Sequence, residues 1–199
     1  MKRAALIFVV LLAAATGCGK KSPSAGENPN ATPSATAAAS ASAAPSASPS
    51  PQIHFTVDGA GPYQLGLKLA DLQTAGHLDE VKTGGEMCAQ NTFARGKGVW
   101  KDIRLSFRPD GTLYLVTNRS TTIPTPSGAW LGTNLAGLQS IYPAIGEDLT
   151  KGSIYAYLVT TGTGRGILFD LDGAKKTIAM VAGEASYLKS SWQSGTDFC

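Results

Sequence analysis

Cys18, Cys88 and Cys199 are the three cysteines of the chain and its best candidates for covalent chemistry. A thiol can be alkylated, oxidised against a second thiol, or deprotonated onto a metal. His54 and His77 are the two histidines. A zinc centre takes three or four ligands in tight geometry, and donors scattered this widely do not approach that count. His54 falls off the apolar alternation of a leading strand and His77 follows a helix stop, so both read as surface side chains. Asp170–Gly173 reads "DLDG", but the third aspartate and the distal glutamate of a calcium loop are missing. A hairpin turn is expected there. "GTGRG" at 162–166 departs from G-x-G-x-x-G and has no helix after it to lend a dipole. No G-x-S-x-G nucleophile elbow occurs. The adjacent carboxylates Asp79-Glu80 and Glu147-Asp148 lie in polar stretches and read as solvated loop charges, not as a glycosidase acid and nucleophile. No catalytic residue, metal site or cofactor is expected.

The context of Cys18 is the most specific. Lys2 and Arg3 precede twelve apolar residues, Ala4 to Ala15. A bilayer-spanning helix needs roughly 20 such residues, and the apolar region of an export signal about 7–15. Residues 1–17 therefore read as a targeting segment. The ending Ala15-Thr16-Gly17-Cys18 resembles the lipobox of bacterial lipoproteins, with Ala15 where Leu is usual. The resemblance implies that the Cys18 thiol becomes a thioether to diacylglycerol before cleavage. Two acyl chains, at about 0.8 kcal/mol per buried methylene, anchor a protein stably where one does not. The expected location is the outer face of the cell membrane, with plain secretion and an uncleaved anchor as the alternatives.

Residues 18–51 carry the lipidated cysteine and a tether. Of the 30 residues 22–51, 26 are Ala, Ser, Pro or Thr, and six prolines interrupt any helix. With no large apolar side chain, nothing offsets an ordering cost of about 1–2 kcal/mol per residue. Composition of this kind resembles lipoproteins of GC-rich actinobacteria. The net charge of +3 belongs to the leader and the Lys20-Lys21 pair, because residues 52–199 hold thirteen cations and thirteen carboxylates. Without a basic stripe to neutralise phosphates, nucleic-acid binding is not expected. Once Cys18 is acylated, Cys88 and Cys199 remain as an even pair in an oxidising compartment and are expected to be bridged. That link would close a loop of about 110 residues and contribute about 4–5 kcal/mol in the chain-entropy account.

Residues 52–199 suffice for one domain with a sizeable core. "QLGLKLADLQ" (64–73) and "WLGTNLAGLQ" (130–139) match at a constant offset of 66, and Phe107-x-x-Asp110-Gly111 parallels Phe169-x-x-Asp172-Gly173 at 62. Approximate repeats at 61–118 and 127–183 follow. Leu65, Leu69 and Leu72, and again Leu131, Leu135, Leu138 and Tyr142, carry helical spacing. Gly76 ends the first helix; Asn134 caps the second and Pro143 ends it. Ile103, Leu105 and Phe107 alternate as a strand, as do Ile167, Phe169 and Leu171, each followed by Asp-Gly. Ile53, Phe55 and Val57 suggest a leading strand and Ile154 to Thr160 another. The expected fold is α+β: a tandem repeat of a short helix plus antiparallel hairpin strands, with the helices on one face of the sheet.

The Leu65-Gly66 and Leu131-Gly132 motifs with the leucines after them resemble the repeats of β-lactamase inhibitory protein-like domains and of outer-membrane assembly lipoproteins of the BamE/SmpA type. That resemblance implies a binding scaffold presenting a sheet face, with no enzyme activity. Tyr155 and Tyr157 alternate along one strand, Tyr114 takes the same phase on another, and Arg165 falls in a glycine-rich loop. These four residues form the expected binding surface, for a protein or glycan of the envelope; packing of the tyrosines beneath the tail that holds Trp192 is the competing expectation. Trp100 and Trp130 read as core anchors. The expected function is a surface-tethered, non-catalytic binding lipoprotein; the alternative is an envelope enzyme acting on cell-wall material.

Overall fold

Apolar side chains at alternate positions need a pleated backbone to share a face, and the strands follow from that rule. The computed structural model describes residues 53–85, 88–196 and 198, all within the unit Ser48–Cys199. The targeting segment, Cys18, the tether and Cys199 lie outside the described residues. Three two-residue strands, β1 (Phe55–Thr56), β2 (Gly59–Ala60) and β3 (Tyr63–Gln64), form a small antiparallel sheet. Helix α1 (Leu69–Thr74) follows, then β4 (Leu78–Thr83), β5 (Thr92–Gly96), β6 (Ile103–Phe107) and β7 (Leu113–Asn118). Helix α2 (Leu135–Ile141) precedes β8 (Gly146–Lys151), β9 (Ile154–Thr160), β10 (Arg165–Leu171) and β11 (Thr177–Glu184), and α3 (Ala185–Ser194) comes last.

The eight longer strands make one antiparallel sheet in the order β4-β5-β6-β7-β11-β10-β9-β8. Two four-strand meanders thus meet at β7 and β11, with Thr117 opposite Val181 and Val116 opposite Ala182. One face carries the main core. Ile103, Leu105, Phe107, Val116, Phe169, Met180 and Ala182 are buried there with Leu72 of α1, Leu138 of α2 and Phe55 of the small sheet. Each large apolar side chain removed from water there contributes about 1.5–3 kcal/mol before ordering costs. The opposite face carries a second cluster, Leu115, Leu149, Ala156, Leu158, Leu168 and Val181, covered by Leu188 and Trp192 of α3.

The expected α+β repeat of helix plus hairpin is overturned. Strands dominate, each half is a four-strand meander, the helices have only 6, 7 and 10 residues, and α3 sits on the other face from α1 and α2. The physical reason is local. Gly66 and Gly132 adopt φ of 95° and 94°, which ends any helix to their N-terminal side and leaves Leu65 and Leu131 in loops. The Asn134 cap is present, its side chain accepting from the Gly137 N–H at 2.8 Å. Strands β4 and β8 lie at the sheet edges and are largely exposed, so "LDEVKT" and "GEDLTK" need no strict apolar alternation. The leading strand stops at Thr56, and the Val57-Asp58 turn folds it back onto β2. Trp100 packs edge-on to Tyr63 with centroids 6.0 Å apart, whereas Trp130 is 55% exposed, contrary to its reading as a core anchor.

Candidate binding surface

The structure does not bring the four expected surface residues together. Tyr157 is buried on the main-core face, its hydroxyl donating to the Tyr142 carbonyl at 2.9 Å. Burial raises its phenol pKa, with a smaller contribution from Asp148. Tyr155 shares that face, half-buried beneath the Lys175 ammonium, which stands 4.7 Å from the ring centroid. Tyr114 belongs to the opposite face, packed edge-on against Tyr187 of α3 at 5.7 Å. Its hydroxyl accepts from Asn91 at 3.0 Å and donates to the Phe198 carbonyl at 3.1 Å. Desolvation first, then the neighbouring Tyr187, pushes the Tyr114 phenol far above its ordinary value. Arg165 is not at a loop tip: it opens β10 and forms an ion pair with Asp58. Sequence alternation could not separate these cases because both faces of β9 are covered, leaving no solvent-facing phase.

Cys88 is disulfide-bonded. Asn91, in the same loop, and Phe198, the residue before Cys199, both reach the Tyr114 hydroxyl, which holds the C-terminal end against the Cys88 loop. Among the described residues no group of three or more His, Cys, Asp or Glu side chains could hold a metal, and no helix is long and apolar enough to cross a membrane. The adjacent carboxylates are engaged locally. Glu147 pairs with Lys189 at 2.6 Å, Asp148 accepts from Gln139 at 2.8 Å, and Glu80 meets Arg95 at 3.2 Å. His77 is half-buried edge-on to Tyr63, whose hydroxyl donates to the His77 carbonyl at 2.7 Å.

What the fold does assemble is an area over β4, β5, β6 and β7, on the α3 side of the sheet beyond the reach of α3, which the described residues leave open apart from Phe198 at its border. Ala94, Leu105 and Val116 point into the main core, so the pleat turns Arg95, Arg104 and Thr117 the other way. Arg95 stands directly across from Arg104, Phe93 across from Ser106, and Lys82 across from Phe93. Arg119 follows at the end of β7, its N–H bonded to the Asp102 carbonyl at 3.0 Å. The resulting groove measures about 500 Å³, with Phe93 and Val181 on its floor and Lys82, Arg95, Arg104 and Arg119 along it. Among the described residues, Glu80 and Asp170 are the carboxylates that line it. The sequence signal for this surface was the strict alternation Ile103-Arg104-Leu105-Ser106-Phe107, which marks a strand with one wet face.

No protein-family model and no curated protein matches this chain. Among solved structures it is similar to an extracellular protein containing an SCP domain from Bacillus anthracis, with 8% identity and a TM-score of 0.39 over 62% of this chain and 45% of that one. It is also similar to the uncharacterized protein YfeY from Escherichia coli, with 15% identity and a TM-score of 0.42 over 65% of this chain and 99% of that one. The chain therefore spans less than half the length of the Bacillus anthracis protein.

Proposed function

We propose that this chain is a lipid-anchored, extracytoplasmic protein, held to the membrane through Cys18, whose folded unit binds a protein partner in the envelope and catalyses no reaction. The binding surface is the open half of the sheet. One observation carries this reading: Arg104 and Arg119 stand exposed on a broad uncovered sheet area, while the rest of the same face is sealed by α3. Uncovered sheet with an apolar floor and ordered cations is the kind of surface a partner completes. The lipobox and the Ala/Ser/Pro tether support anchoring, and the bonded Cys88 suits an oxidising compartment.

Two measurements test it. Mass spectrometry of the processed protein should find Cys18 at the N-terminus with a diacylglyceryl adduct; an intact leader without lipid would overturn the anchoring. A photo-crosslinking amino acid at Ser106, in the open half, should yield a protein adduct in intact envelopes, whereas one at the exposed Ser190 on α3 should not. Absence of an adduct at Ser106, or equal adducts at both, would overturn the surface.

A further inference from the structure

Resting on that reading of the open half, we propose that it receives an acidic segment of a protein partner, with carboxylates on Arg104 and Arg119 and apolar side chains against Phe93 and Val181. The first argument is a cost. Arg95 and Arg104 are register partners on adjacent strands and face the same way. Like charges directly opposite each other destabilise a strand pair. Glu80 offsets only Arg95, whose Nε lies 3.2 Å from its carboxylate. Among the described residues, Arg104, Arg119 and Lys82 have no carboxylate within ion-pair distance. Local rules broken without compensation among the described residues concentrate at functional positions, and a bound carboxylate supplies a counter-charge.

The second argument is chemical class. A planar guanidinium donates two parallel hydrogen bonds to one carboxylate, a match that rewards discrete acidic side chains at defined spacing. A phosphate polymer rewards charge density, yet among the described residues the groove holds four cations against two carboxylates, and residues 52–199 sum to zero. Such a unit recognises an acidic segment through short-range paired contacts and not through long-range attraction. The half-buried Phe93 would also be left without a role. Glutamate or aspartate interleaved with aliphatic or aromatic residues uses both halves of the groove.

The test uses the purified full chain and three probes: a fluorescein-labelled peptide of alternating glutamate and leucine, its glutamine–leucine counterpart, and inorganic polyphosphate. The glutamate peptide should bind and the glutamine peptide should not. Arg104→Gln and Arg119→Gln should each weaken binding by roughly tenfold, since a charge-assisted hydrogen bond is lost in each. Lys189→Gln on α3 should change nothing. Near-ultraviolet circular dichroism monitors folding, and Arg104→Lys, which keeps the charge and loses the fork, should fall between Arg104→Gln and the unsubstituted chain. Failure of the glutamate peptide to bind, equal binding of the two peptides, indifference to the arginine substitutions, or tighter binding of polyphosphate would each overturn the proposal. If the Ser106 adduct persists under any of these outcomes, the surface stands and only its acidic ligand is lost.

Discussion

On the side of the sheet that carries α3, the second meander presents Ala156, Leu158 and Leu168, all buried, whereas the first presents Phe93, Arg95, Arg104 and Ser106, all half-buried or exposed. The two meanders share a strand order and a continuous hydrogen-bonded sheet, so the backbone does not distinguish them. Side-chain chemistry does. Aliphatic side chains on both faces of β10 demand two covers, and α3 supplies the second. Alternating β6 needs only one, and its other face remains available. The border runs through Tyr114, which touches Tyr187 of α3 on one side and carries the Arg108 guanidinium over its ring at 5.3 Å.

The largest expected effect would come from breaking the covered half. Leu188 is fully buried beneath α3, and Leu188→Ala removes its methyl groups and leaves a cavity. Urea unfolding should show a loss of about 2–5 kcal/mol. A loss no larger than that of a surface substitution would mean that α3 does not seal this face. In the open half the sign should reverse. Arg104→Thr removes one member of the cross-strand like-charge pair and places a β-branched residue in the strand. Thermal melts should show stability unchanged or raised by about 0.2–1 kcal/mol, with the gain shrinking as salt is added. A clear destabilisation would show that the arginine row holds the sheet together and is not held in reserve for a partner.

The smallest effect lies in the turn between β6 and β7. Hydrogen bonds from the Thr112 hydroxyl and backbone, more than the neighbouring Lys68, hold the Asp110 carboxyl down at about 2. A depressed carboxylate favours the folded state above its ordinary value and loses that contribution as pH falls through the depressed one. The turn should therefore stay intact through mild acid and loosen only as the medium approaches pH 2, as an NMR titration of the Asp110 carboxyl would report. Titration near the ordinary carboxylate value would mean that the Thr112 hydrogen bonds are not formed in solution.

The fold class was not readable, but several single elements were. Ile103–Phe107, Ile154–Thr160 and the Asn134 cap lie where alternation and capping chemistry place them. The same reading missed β4 and β8, whose edge positions relax the apolar pattern, and counted the helical stripes from Leu65 and Leu131, which Gly66 and Gly132 leave outside α1 and α2. For the candidate surface, the alternation within β6 already separated Arg104 and Ser106 from the core. Nothing in β5 taken alone placed Arg95 opposite Arg104, because cross-strand register is set by the turn and the shared core.

The sequence by itself determined the neutral charge of residues 52–199 and the alternation that puts Ile103, Leu105 and Phe107 in the core, because these depend on composition and short-range periodicity. Only the tertiary structure decided which meander α3 covers, that Tyr157 and Tyr114 belong to opposite faces, and that the arginines of separate strands share one groove. Those outcomes depend on contacts between residues far apart in sequence, and a local pattern holds no record of the partner that completes it.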